Sequence, residues 1–225
     1  MTRLIIALDV ESKEKALELV DVIGGECDFY KIGPKLFCRY GIDIVRELKK
    51  RGKKIFLDLK LHDIPKVVSD TVKFFEEEGV DLLTLHCAGG IDMLTSARYG
   101  REGDLPLLFG VTVLSSLTDD FIEEMFARPP SDAVFYFADM AKKAGLDGIV
   151  VPPFSLKALS ESYKGKLLLL SAGIRLDKRK DDHATVLTPS EARHCGADFI
   201  VVGRPIYQAN NPKEVVKKII KELRR

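Results

Sequence analysis

The chain has 225 residues, 46% of them hydrophobic and 31% charged, enough for one large domain with a substantial core and without the composition of a disordered segment. Its 35 lysines and arginines against 34 aspartates and glutamates leave a net charge of +1, which gives no electrostatic basis for binding nucleic acid or an anionic membrane, so an anionic ligand has to be held locally. The apolar stretch within residues 1–9 is too short for a signal-peptide core, and no run approaches the ~20 apolar residues of a membrane span, which points to a cytoplasmic protein.

In chain order, short β-branched or leucine-rich runs at 4–9, 28–33, 54–60, 82–86, 106–113, 148–151, 166–173 and 198–203 predict strands. They alternate with amphipathic segments at 13–23, 43–51, 66–78, 91–99, 133–143, 155–162, 190–194 and 213–223, which predict helices. Ser12, Asp43, Ser131, Ser190 behind Pro189, and Asn211-Pro212 are the expected helix starts, and Gly24, Gly52, Gly79, Gly145 and Gly196 the expected ends. Eight βα units with near-continuously apolar strands predict an α/β fold, a single (β/α)8 TIM barrel over residues 1–225, because the strands of a closed parallel barrel are buried on both faces. An open doubly wound sheet would usually carry a Gly-x-Gly-x-x-Gly turn after its first strand, where this chain reads Asp9-Val10-Glu11-Ser12.

In such barrels the chemistry lies at the C-terminal ends of the strands, and here those ends are unusually polar. They offer Asp9, Lys31 with Gly33, Asp58 with Lys60, His86, then Thr112, Ser115 and Ser116, and finally Gly173 with Arg175 and Gly203 with Arg204. Asp58 and Lys60 are two apart in a strand, so alternation puts them on one face about 7 Å apart, and Asp63 follows where Asp63-Ile64-Pro65 breaks the strand. Gly173 and Gly203, with Arg175 and Arg204, form a candidate phosphate cradle: glycines admit backbone N–H groups to an oxyanion, a helix start adds its dipole, and arginine binds bidentately.

Each element also has a plainer reading. Asp9 alone is an ordinary loop anchor, Gly203-Arg204 an ordinary turn, and His86 beside Cys87 either a metal pair or a hydrogen-bonded core histidine without a second histidine at ligand spacing. Cys27, Cys38, Cys87 and Cys195 lie far apart with no Cys-x-x-Cys pair, against a zinc knuckle or disulfide framework. A purely structural ion network of Lys31, Asp58, Lys60 and Asp63 is weakly motivated, because partly buried charged networks add little net stability.

Along its length the sequence resembles the orotidine 5'-phosphate decarboxylase family. The resemblance rests on Ala7-Leu8-Asp9, Lys31-Ile32-Gly33, the run from Asp58 through Lys60 and Asp63 to Pro65, Thr84-Leu85-His86, Val111 to Ser116, Gly173-Ile174-Arg175, Asp181-Asp182, Leu187-Thr188-Pro189 and Val202 to Ile206. It implies a cofactor-free and metal-free barrel enzyme that acts on a nucleotide substrate as a homodimer. By position it implies Lys60 as proton donor, Asp58 against the substrate carboxylate, Lys31 between Asp58 and the ribose hydroxyls, and Asp9 on the ribose. It further implies Ser115 at the pyrimidine, Arg175, His183, Gly203 and Arg204 on the phosphate side, and Asp63 with Ile64, Pro65 and Val67 reaching into the partner's site.

The chain departs from the family pattern in three places. Asp-Ile-Pro-Asn-Thr becomes Asp63-Ile64-Pro65-Lys66-Val67, which deletes a hydroxyl; Thr-Pro-Gly-Ile-Arg becomes Ser171-Ala172-Gly173-Ile174-Arg175; and His183 stands where a phosphate-binding glutamine follows Asp-Asp. The charged segment 175–184 is the expected lid. The alternatives are a magnesium-dependent relative of the 3-keto-gulonate phosphate decarboxylase group, disfavoured by Lys31 where those enzymes place a carboxylate ligand, and a catalytically silent phosphate-binding barrel, disfavoured by the intact charged set.

Overall fold

The structure, a computed structural model, describes residues 2–176 and 186–224. Eight parallel strands, β1 (Arg3–Ala7), β2 (Phe29–Ile32), β3 (Lys54–Leu61), β4 (Leu82–His86), β5 (Leu107–Val111), β6 (Gly148–Val151), β7 (Leu168–Ser171) and β8 (Phe199–Val202), close into a barrel in sequence order. Each coincides with a predicted run, and helices surround them: the α/β, TIM-barrel expectation holds. Several runs overshoot their strands at the C-terminal end, at Asp9, Gly33, Gly173 and Gly203, where the chain leaves the ladder to build the barrel mouth.

Three helices were not predicted: Pro34–Tyr40, Asp119–Phe126 and the four-residue Arg204–Tyr207. The first two carry ordinary start signals, Pro34 at the first position and Thr118 accepting the Phe121 N–H at 3.4 Å, but at seven and eight residues they are too short for periodicity to declare them. Ser12 and Asn211 cap helices as expected, accepting the N–H of Lys15 and Glu214 at 3.3 Å each. Three predicted caps move. Asp43 is the first helical residue rather than its cap, Ser131 lies inside a helix that begins at Pro130, and Thr188, not Ser190, forms a reciprocal capping box with Glu191. In the last two a proline fits the first helical position, which sets the start upstream of the serine. The five predicted helix-ending glycines all take a positive φ, between 62° and 88°.

Alternate side chains along the strands turn inward and build the barrel in layers. Ile5, Phe29, Phe56, Leu82, Phe109, Leu170 and Phe199 belong to one interior cluster, with Phe29 and Phe109 edge-on to Phe199 at centroid distances of 6.1 and 5.9 Å. The Arg3 guanidinium lies over Phe29 and Phe199, 5.2 and 5.7 Å from their centroids, at the N-terminal end. A larger apolar cluster fills the space between barrel and helices. The barrel floor is therefore packed, and the free end is the one where the strands finish. Two residues above the floor the inward positions turn polar: Lys31 follows Phe29, Asp58 follows Phe56, and Thr84 follows Leu82, while Asp9 follows Ala7.

Three strands enter the sheet through a shared device. In Gly79-Val80-Asp81, Gly145-Leu146-Asp147 and Gly196-Ala197-Asp198 the carboxylate accepts a backbone N–H of the preceding strand, from Ile55, Leu108 and Leu169, at 2.7, 2.7 and 2.8 Å. These aspartates are structural, at the end of the barrel away from the polar mouth. Among the described residues no helix is long and apolar enough to cross a membrane.

Candidate active site

Above the aromatic floor lies a cavity of about 270 Å³. Its lining brings together Asp9, Lys31, Asp58, Lys60, Ser115, Gly173, Arg175, Gly203 and Arg204, residues drawn from six segments spread over the chain. Lys31 Nζ lies 3.0 Å from Asp9 Oδ1 and 3.7 Å from Asp58 Oδ2, and Lys60 Nζ lies 2.7 Å from Asp58 Oδ1. Charge therefore alternates through Asp9, Lys31, Asp58 and Lys60. Lys31 is buried within this array, whereas a third of the Lys60 side chain is exposed.

Burial pushes the Asp58 pKa upward, but Lys31 and Lys60 beside it, with hydrogen bonds from Lys60 and Thr84, outweigh burial and hold the carboxyl below the usual carboxylate range. The ionised group thus contributes stability that is fully present above its unfolded-state pKa and is lost as pH falls through the folded-state value.

Lys60 reaches this array from an irregular stretch of β3. Lys60 adopts φ 49°, a left-handed conformation costing roughly 1–2 kcal/mol for a residue with a Cβ, and the β3–β4 register shifts between Leu57 and Leu61. The Lys60 ammonium lies 2.7 Å from Asp58, a reach its long side chain spans from a backbone position about 7 Å along a strand, and the bulge sets the direction from which it approaches. The freed Lys60 N–H donates to Thr84 Oγ1 at 2.9 Å, and the Thr84 hydroxyl donates to Asp58 Oδ1 at 3.0 Å. Thr84 was not a predicted site residue.

Two glycines sit in close approach to the site. A Cβ at position 33 would sit 3.2 Å from Lys31 Nζ and 3.3 Å from Asp9 Oδ1, and one at position 203 would sit 3.3 Å from both Ala7 and Tyr207. Tyr207, also not predicted, lines the cavity; burial and Asp9 push its phenol pKa up, against Arg204, Arg175 and Lys31. The helix behind Gly203 has only four residues, so the helix dipole expected of the candidate phosphate cradle would contribute little.

Asp63, Ile64, Pro65 and Val67 are exposed and stand outside the lining of their own chain's cavity, with Asp63 Oδ1 accepting the Ile64 N–H at 2.6 Å. His183 and most of the expected lid at 175–184 lie outside the described residues. Thr112 is buried and donates to the Val150 carbonyl at 3.0 Å, a structural role. His86 stacks on His62 at 5.6 Å with planes 16° apart and accepts the Ala88 N–H at 3.2 Å; burial, then His62 and Lys60, push its pKa down. Cys87 is buried, its thiol pushed up to about 12 by burial. Among the described residues no group of three or more His, Cys, Asp and Glu side chains is placed to hold a metal ion.

The chain has relatives among known proteins. Residues 2–219 match the family model described as Orotidine 5'-phosphate decarboxylase / HUMPS family. The chain is 38% identical to the orotidine 5'-phosphate decarboxylase of Actinobacillus succinogenes over 97% of its own length and 96% of that protein, and 40% identical to the Staphylococcus aureus enzyme of the same name over 96% and 95%. The crystal structure of orotidine 5'-phosphate decarboxylase from Lactobacillus acidophilus superposes with a TM-score of 0.89 at 35% identity, covering 100% of both chains. With a family match spanning nearly its full length and the same barrel in a solved relative, the chain belongs to the orotidine 5'-phosphate decarboxylase / HUMPS family.

Proposed function

We propose that this chain converts orotidine 5'-phosphate to uridine 5'-phosphate and carbon dioxide, with no metal or organic cofactor. The observation that carries this reading is the Asp9, Lys31, Asp58, Lys60 array at the head of the cavity. The bond to the carboxylate carbon breaks and its electron pair stays on the pyrimidine carbon, where the ring cannot delocalise it. A fixed positive group at that carbon is then the main stabilising influence available. Lys60 supplies it, gives the carbon its proton and regains one from solvent. Asp58 keeps Lys60 charged and meets the substrate carboxylate with like charge; the reaction takes up a proton, so Asp58 has no role as a base. Asp9 and Lys31 hold the ribose, Ser115 the pyrimidine, and Arg175, Gly203 and Arg204 the phosphate.

The magnesium-dependent alternative is disfavoured by the same geometry. The Lys31 ammonium occupies the space between Asp9 and Asp58, where a divalent cation would have to displace it. Loss of pyrimidine absorbance on adding orotidine 5'-phosphate, undiminished by a strong chelator, is the expected result. No turnover would remove the decarboxylase reading, and turnover abolished by chelation would move the chain to the metal-dependent group.

The dimer belongs to the same proposal. Ile64, 64% exposed, precedes the helix Pro65–Glu77, on which Val67 and Phe74 are exposed, and Ile91 and Tyr99, the latter 81% exposed, lie on the neighbouring helix Gly90–Tyr99. These exposed apolar side chains, with Asp63 next to Ile64, suit a second copy of the chain that receives Asp63 into its cavity. Lys60→Ala and Asp63→Ala, each nearly inactive alone, are expected to regain activity when refolded together. Half the dimers are then mixed and each has one site with neither defect, so about a quarter of the sites should work. Absence of recovery in a confirmed mixed dimer would place Asp63 in its own chain's site or in none.

A further inference from the structure

We infer that Thr84 is a positioning residue for the reaction, holding Lys60 and Asp58 in register through a single hydroxyl. The inference rests on the decarboxylase reading. In β4, Leu83 pairs with Leu57 and Leu85 with Leu61, so Thr84 stands opposite the stretch of β3 that bulges. A regular ladder would give the Lys60 N–H a backbone carbonyl. The bulge removes it, and the Thr84 side chain takes its place at 2.9 Å.

That bond also fixes the hydroxyl's own direction. A threonine hydroxyl has one proton to give. Since Thr84 Oγ1 accepts from the Lys60 backbone, its proton goes to Asp58 Oδ1 at 3.0 Å, the same oxygen that receives the Lys60 ammonium at 2.7 Å. Backbone N–H, hydroxyl, carboxylate and ammonium thus close a ring that begins and ends on Lys60. Thr84 is fully buried, so no water can substitute for the hydroxyl without displacing the side chain. Its methyl and β-branch suit the strand, and the hydroxyl is what couples β4 to the left-handed turn of Lys60.

A group that orients the acid without touching substrate should change turnover more than binding. Thr84→Val keeps shape and β-branching while deleting the hydroxyl. It is expected to lower kcat about 10- to 100-fold, the scale of a small misplacement of the reacting groups, and to leave KM within about threefold. Thr84→Ser, which retains the hydroxyl, is expected to keep kcat within about threefold of the parent. Activity is referred to the number of folded sites, counted by titration with a tight-binding nucleotide monophosphate, so that loss of folded protein does not register as loss of turnover. Should Thr84→Val fail to fold, Thr84→Ser and Thr84→Cys carry the comparison, because they differ in one atom; kcat should fall at least about tenfold from serine to cysteine. Equal kcat per folded site in parent and Thr84→Val, or in serine and cysteine variants, overturns the positioning role. Absence of orotidine 5'-phosphate turnover in the parent itself would instead overturn the decarboxylase reading.

Discussion

Lys60→Ala is expected to bind a nucleotide monophosphate with measurable affinity and to decarboxylate at less than about a hundredth of the parent rate, the ordinary minimum for loss of one acid–base group. Two contributions vanish together. One is the proton itself, and the other is the fixed positive charge next to the carbon that develops negative charge, which in a water-poor site is worth more than the proton transfer. Lys31 cannot take over, because its largely buried ammonium is held between Asp9 and Asp58, whereas a third of the Lys60 side chain is exposed. Lys60→Arg separates the two contributions: the guanidinium keeps the charge but gives up no proton in the accessible pH range, so that variant should remain strongly impaired. Single-turnover absorbance traces at saturating enzyme, paired with calorimetric binding of the product nucleotide, give both numbers. A Lys60→Ala rate above about a hundredth of the parent would remove Lys60 from the donor role.

How much of this was legible in the sequence differs between levels. The barrel was, because parallel strands buried on both faces write themselves as short apolar runs, and the inward layer of Phe29, Phe56 and Leu82 is followed two residues later by Lys31, Asp58 and Thr84. The helices Pro34–Tyr40 and Asp119–Phe126 were not, being too short to show a period. Asp58 and Lys60 were legible as a pair. Alternation puts them on one face, but the left-handed lysine and the bulge around it were not legible, because nothing in the residue type announces a positive φ where glycine is the usual choice. Thr84 was hidden for the opposite reason. Threonine is an ordinary strand residue, and only the register of β4 against the bulge reveals what its hydroxyl does. Tyr207 lay one helical turn beyond the Gly203-Arg204 signal, where the short helix Arg204–Tyr207 turns it back to the cavity.

The phosphate side offers the second large effect, because its binding energy has to be felt at a carbon it does not touch. Arg204 follows β8, three strands round the barrel from β3 with Lys60, and shares the cavity wall with Arg175 and Tyr207. A charge-assisted arginine–phosphate contact contributes about 1.5–3 kcal/mol, so Arg204→Ala is expected to lower kcat/KM for orotidine 5'-phosphate by about 10- to 150-fold. If that energy only anchors the substrate, all of the loss sits in KM. If it also drives closure of the site and presses the pyrimidine against the Asp58 and Lys60 charges, kcat falls too, and binding energy from a remote group is being used at the reacting centre. Orotidine, which lacks the phosphate, distinguishes these cases. The parent should turn it over slowly, free phosphite dianion should raise that rate, and Arg204→Ala should leave the basal orotidine rate within about threefold while weakening the phosphite activation. Equal losses on the phosphorylated and truncated substrates would mean that Arg204 supports the fold of the site, and the phosphate grip would then have to be sought at Arg175 and the backbone around Gly203.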